Sequence, residues 1–251
     1  MNFDISHLLD NWDYQPGQIV VRRFPGKDGR DKIQLRVDLG LLQMNADGRP
    51  DGKRPLGHES LFDYHQARLA KHREAHASED DFVLKAEDCA KLQLEALQYH
   101  HRYICLLELQ DYPGVVRDTR RNLSVFDFVS RYAESDELAW ALQQFRPQLL
   151  LIQVRARGSE KLANKQFMAA LREIERGISE IRSFYSEHSR HDLAEQSGEV
   201  QYLENWIGEI NNKRPLTQRE KLELALHEAV RQENYEKAAE VRDALKNLKE
   251  D

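Results

Sequence analysis

The chain has 251 residues, 40% of them hydrophobic and 32% charged, with a formal net charge of −6, which describes a charge-rich folded chain rather than a disordered or fibrous one. No apolar run approaches the ~20 residues that cross a bilayer, and the acidic stretch Met1–Tyr14 lacks the basic start and apolar run of a secretion signal. A net negative charge supplies no general attraction to nucleic acid, so a cytoplasmic protein without membrane contact is expected.

Gln18 to Met44 reads as a β-hairpin. Ile33, Leu35, Val37, Leu39 and Leu41 alternate with Gln34, Arg36, Asp38 and Gly40, the period of a half-buried strand. Ile19–Phe24 precedes it, and Pro25-Gly26-Lys27-Asp28-Gly29-Arg30 between them is dense in turn formers. Two strands are marginal alone, so the hairpin must lie on the helices that follow or pair with another edge. Asn45–Gly57, with Gly48-Arg49-Pro50-Asp51-Gly52, reads as a long loop.

From Ser60 onward only helix signals appear. The expected helices cover Ser60–Ala77, Leu84–Leu109, Pro113–Tyr132, Asp136–Arg157, Asn164–Tyr185 and Val200–Asn211. Pro113 suits a first helical turn. Pro147 falls inside the fourth segment and demands a kink or two shorter helices. Asn211–Pro215 then reads as a short hinge.

A weak internal pattern recurs where one helix gives way to the next. Asp111-Tyr112-Pro113-Gly114-Val115-Val116, Gln166-Phe167-Met168-Ala169-Ala170-Leu171 and Asn234-Tyr235-Glu236-Lys237-Ala238-Ala239 share a polar residue, an aromatic, two variable positions and two small or aliphatic ones. The expectation is that the aromatic plugs the turn and the small residues let two antiparallel helices approach, as in tetratricopeptide-type arrays. The copies are irregularly spaced, which leaves ordinary helix pairs without repeat ancestry as the alternative.

Chemistry-bearing residues are sparse. Cys89 and Cys105 form no CxxC pair and read as buried thiols on helices. His65, His72 and His76 share one face of a helix, near His58, but the glutamate of an HExxH motif is displaced by one position, and solvated histidines explain the pattern better than a metal site. The strands and loop from residue 18 to 57 carry nine basic residues against five aspartates. Among them Arg22, Arg23, Arg30, Lys32 and Arg36 are the candidates for contact with phosphate or nucleic acid, with an ordinary charged strand face favoured over that reading. No nucleophile elbow or phosphate loop is present, so no catalytic residue, no cofactor and no metal ligand is expected.

The last segment is the most informative. Thr217-Gln218-Arg219-Glu220 has the form of a capping box, directly after Pro215. Leu222, Leu226, Ala229 and Val230 make one apolar face, Glu233-Asn234 interrupts it, and Ala238, Val241, Leu245 and Leu248 follow at coiled-coil-like spacing. The string Leu226–Leu245, above all Tyr235-Glu236-x-Ala238-Ala239-x-x-Arg242-Asp243-x-Leu245, resembles the UVR domain of the excision-repair subunits UvrB and UvrC and of McsA-type stress regulators. Glu233-Asn234 before the aromatic is closer to the McsA type, although the zinc-binding cysteine pairs that such proteins carry are missing here. More loosely, the chain resembles bacterial UVR-motif proteins that share the Gly48–Gly52 loop after a Gln34–Gly40 strand.

What the resemblance implies is contact with a protein partner or with a second copy of the chain, through Leu222, Leu226, Tyr235, Ala238, Ala239, Val241, Arg242, Asp243, Leu245 and Leu248. Physics points the same way, because two helices of this length bury too little surface to stand alone. The expected architecture is therefore mainly α: an amino-terminal β-hairpin and loop (1–57) packed on a helical-hairpin body (58–211), then a two-helix UVR hairpin (216–251). The expected role is a non-enzymatic adaptor or regulator, with an accessory repair factor touching DNA through the basic strands as the alternative.

Overall fold

A computed structural model describes residues 4–248; the first three and last three positions, inside the ranges 1–57 and 216–251 above, lie outside the described residues. The chain divides into two compact units, residues 1–205 and 206–251. The fold is mainly α with a small amino-terminal antiparallel sheet.

The first unit opens with a short helix, α1 (Ser6–Leu9), and a sheet of three strands, β1 (Val21–Pro25), β2 (Asp31–Val37) and β3 (Gly40–Asn45), in the order β1-β2-β3. The sequence pattern suggests two strands, and the structure adds a third. The alternation that runs smoothly through Leu41 is cut by a turn at Asp38-Leu39, so that Val37 pairs with Gly40 and Ile33 with Met44. Leu39, apolar and in phase, stands at the tip of that turn and is 90% exposed. A period of two cannot distinguish one long strand from two strands joined by a two-residue turn when the turn residues keep phase.

Helices follow as α2 (Leu61–His76), α3 (Ala86–Glu108), α4 (Tyr112–Tyr132), α5 (Asp136–Gln143), α6 (Arg146–Ala163), α7 (Phe167–Glu187), α8 (His191–Gln196) and α9 (Gly198–Lys213). Local chemistry sets their ends. The Ser60 hydroxyl caps α2 by accepting the Asp63 N–H at 3.1 Å. Pro147 resolves into two helices, with the proline in the first turn of α6, where its missing N–H costs nothing. Ile33, Leu35 and Met44 of the sheet are buried in one core with Phe62, Leu92, Tyr103, Leu106, Val115 and Val129 from the helices. Cys89 and Cys105 both lie in α3 and are buried, and burial pushes the Cys105 thiol up to about 12.

The recurring sequence pattern corresponds to one recurring turn. Gln110, Lys165 and Glu233 have left-handed φ values of 57°, 59° and 55°. In each case the next residue's N–H returns 2.9 Å to a carbonyl five positions back: Asp111 to Leu106, Gln166 to Lys161, Asn234 to Ala229. The left-handed residue's own N–H donates to Leu107, Leu162 or Val230, which completes a Schellman ending that is at once the start of the next helix. Ser189 forms a fourth turn of the same kind, between α7 and α8. Val115, Ala170 and Ala238, at matching positions, are all buried, as the close approach of the paired helices requires. The aromatic does not behave uniformly: Tyr112 and Phe167 are half-buried, but Tyr235 is 70% exposed and plugs nothing.

Glycine-rich Gly48–Gly52 is not a free loop. Arg102, on α3, is 1% exposed; its guanidinium clasps Asp118 of α4 at 2.6 and 2.8 Å and donates to the carbonyls of Asn45 (3.1 Å) and Gly48 (2.7 Å). Arg117 adds a bond to the Ala46 carbonyl at 2.9 Å. Glu95, also 1% exposed, pairs with Arg49 at 3.2 Å and with Arg121, and accepts the first N–H groups of α2 from Leu61 (2.8 Å) and Phe62 (3.3 Å). The loop, the start of α2 and the α3–α4 pair are thus tied together by buried charges that are paired, although Nε of Arg49 and of Arg121 has no hydrogen-bond acceptor.

Candidate protein-interaction site

The second unit holds α10 (Gln218–Arg231) and α11 (Tyr235–Asn247), packed on each other as a hairpin. Its entry is a closed capping box. Thr217 accepts the Glu220 N–H at 3.2 Å, Glu220 accepts the Thr217 N–H at 2.8 Å, and Arg214 donates to the same carboxylate at 2.7 Å. At the turn, Asn234 accepts the Lys237 N–H at 3.1 Å and so caps α11.

Arg214 and the Thr217 N–H beside it hold the Glu220 carboxyl down from an ordinary 4.5 to about 2. Because the folded value lies below the unfolded one, this cap contributes fully above pH 4.5 and is lost as pH falls from there toward 2. A pH titration of the Thr217 amide by NMR is expected to show a midpoint near 2 in the wild type and no such step in Glu220→Gln. A wild-type midpoint at the ordinary glutamate value would show that the box does not close in solution.

The residues singled out in the sequence separate into three groups. Ala238 is buried, as is Ala229 on α10, and their short side chains let the two helices approach. Leu222, Leu226, Ala239, Val241, Leu245 and Leu248 are half-buried. Tyr235, Arg242 and Asp243 are exposed, and Arg242 and Asp243 pair with each other at 3.3 Å. Beside them stand two apolar side chains that the heptad-like reading treats as seam or ignores: Val230, 52% exposed, and Leu224, 57% exposed. With Tyr235 they are apolar side chains that the closed hairpin leaves uncovered.

The basic strand residues are largely occupied. Arg22 donates to Gln34 at 2.7 Å and lies over the Trp12 ring; Arg23 pairs with Asp31 (3.0 Å) and Asp111 (2.9 Å). Lys32 pairs with Asp28 at 2.6 Å, and Arg36 donates to the Trp12 carbonyl at 2.8 Å and to carbonyls of its own turn. Arg30 is the exposed exception, beside a hollow lined by Asp31, Asn45 and Asp47. Periodicity finds charged residues but not their partners, and here most of the basic groups serve the sheet. Among the histidines, His65 is buried beside Asp88 and His72 stacks on His76 at 4.3 Å. Among the described residues no three His, Cys, Asp or Glu side chains converge as a metal's ligand set, and no helix of the described residues is long and apolar enough to cross a membrane.

An antiparallel helical hairpin that leaves Leu224, Val230 and Tyr235 uncovered has the form of an interaction module. Residues 217–251 match the family model described as the UvrB/uvrC motif, so this hairpin is a UVR motif. No curated protein and no solved structure matches the chain. UVR motifs in UvrB and UvrC mediate contact between proteins.

Proposed function

We propose that the chain is a non-enzymatic adaptor or regulatory protein that docks a protein partner through its carboxy-terminal UVR hairpin. The observation that carries this reading is the set of apolar side chains the hairpin leaves uncovered. The motif folds into a closed two-helix unit, yet Leu224, Val230 and Tyr235 remain exposed after it has done so. Burying such side chains at an interface is worth roughly 1.5–3 kcal/mol apiece before the costs of association. The first unit is a helical scaffold whose buried charges stabilise its own loop and helix ends, which suits a carrier of the docking arm.

The test is affinity capture with the full chain as bait, comparing wild type with Val230→Asp/Tyr235→Ala. Both positions are exposed, so the variant is expected to keep its circular-dichroism spectrum and melting temperature. The captured set should lose one or more proteins, and the retained partner, purified, should bind the variant at least about tenfold more weakly, a difference of ~1.4 kcal/mol. An unchanged set of captured proteins with unchanged affinities overturns the reading.

A further inference from the structure

A groove of about 670 Å³ runs between α4, α6 and α7, wholly within the first unit. Five cations line it, Arg117, Arg120 and Arg121 on α4 and Arg157 and Lys161 on α6, against two carboxylates, Glu160 and Glu173. One of those is already engaged, since Glu173 pairs with both Arg157 (3.8 Å) and Arg176. Behind the lining, Asp47 and Asp118 pair with Arg117 and Glu95 pairs with Arg121, so the positive charge left over in the groove is that of Arg120 and Lys161.

Its cations are also incompletely matched. Arg120 and Lys161 make no side-chain hydrogen bond or ion pair among the described residues. The Arg121 Nε is buried without an acceptor. By contrast, the rear of the groove is fixed: Arg117 is held by Asp118 at 2.9 Å and the Ala46 carbonyl, and Arg121 by Glu95 and the face of Tyr99 at 4.1 Å. Arg120 and Lys161 thus stand unpaired among the described residues, in a concave site beside guanidinium groups already matched by Asp47, Asp118, Glu95 and Glu173, and these two cations can receive anions.

We infer that this groove binds an acidic peptide segment in extended conformation. Along each helix the cations repeat at i, i+3 or i, i+4, about 5–6 Å apart. Same-side residues of an extended peptide recur every ~6.6 Å, so successive carboxylates meet successive cations. No aromatic side chain lines the groove, which removes the stacking platform that single-stranded nucleic acid uses. The volume falls in the range of specific ligand sites, and an arginine can hold a carboxylate bidentately.

The experiment is fluorescence anisotropy of the full chain with a labelled hexaglutamate peptide and its hexaglutamine counterpart, at about 50 mM salt where charge contacts are least screened. The expected result is binding of the glutamate peptide only, weakened at least about tenfold by Arg120→Glu/Lys161→Glu at unchanged melting temperature, and unaffected by Val230→Asp/Tyr235→Ala. That last arm separates the groove from the hairpin, so either reading can fail alone. Equal binding of the glutamine peptide, no response to the charge reversal, or tighter binding of inorganic polyphosphate or a single-stranded oligonucleotide through the same two residues overturns the inference.

Discussion

Asp118→Ala is expected to cost about 3–5 kcal/mol, the range for removing one partner of a buried ion pair. Asp118 and Arg102 are each 1% exposed. Without the carboxylate, Arg102 keeps its bonds to the Asn45 and Gly48 carbonyls but carries a full charge in a site shielded from water. A domain of this size has only ~5–15 kcal/mol to lose, so the main urea transition should shift to markedly lower denaturant at unchanged slope. Removing both charges with Arg102→Met/Asp118→Leu should recover much of the loss, because the cost lies in the uncompensated charge rather than in the absent attraction. The loop distinguishes this from a general weakening. Hydrogen exchange at Asn45–Gly52 should rise in Asp118→Ala more than at the helix ends remote from it. A loss under about 1 kcal/mol, the scale of an exposed pair, would sink the assignment of this pair as the loop's anchor.

The second large effect is expected at Gly177, in the middle of α7. A Cβ there would stand 2.2 Å from Val154 Cγ2 and 3.2 Å from its Cβ, with Val154 buried on α6. The α6–α7 pair is the most extensively packed of the helix pairs, and the glycine sets how closely those helices approach. Gly177→Val should therefore destabilise by about 3 kcal/mol, the upper part of the overpacking range. Gly208→Ala, where nothing lies within 4 Å of the new methyl, should be neutral or stabilising by up to ~1 kcal/mol through helix propensity. A double-mutant cycle with Val154→Ala checks the cause. If the clash is the reason, Gly177→Ala should cost less in the Val154→Ala background than in the wild type; additive effects would contradict it.

Much of the fold is legible in the sequence because it rests on local chemistry. Thr217 and Glu220 announce a capping box, and the box closes. Pro147 forbids an unbroken helix, and two helices flank it. Asn234 with Tyr235 and Ala238 marks a helix-to-helix turn, and that turn recurs at Asp111 and Gln166 with the same backbone hydrogen bonds. What escapes a linear reading is pairing at a distance. Leu39 is in phase with β2 yet sits on a turn, and β3 follows from it. Arg22, Arg23, Lys32 and Arg36 look available for phosphate, but Gln34, Asp31, Asp111 and the Trp12 carbonyl occupy them. Arg117, Arg120, Arg121, Arg157 and Lys161 read as unremarkable surface charge on two separate helices, and only the packing of α4 beside α6 brings them to one groove.

The sequence by itself determined the helical class, the turns and the UVR hairpin, since capping, proline geometry and a short family motif each act within a few residues of one another. Tertiary structure alone decided which charges are spent and which are left over. Glu95, Arg102 and Asp118 lie far from the loop they anchor in sequence, and their desolvation makes sense only once the partners that satisfy them are in place. The hairpin's Val230 and Tyr235, apolar in any reading of the sequence, become candidates for docking only because the closed pair of helices leaves them uncovered.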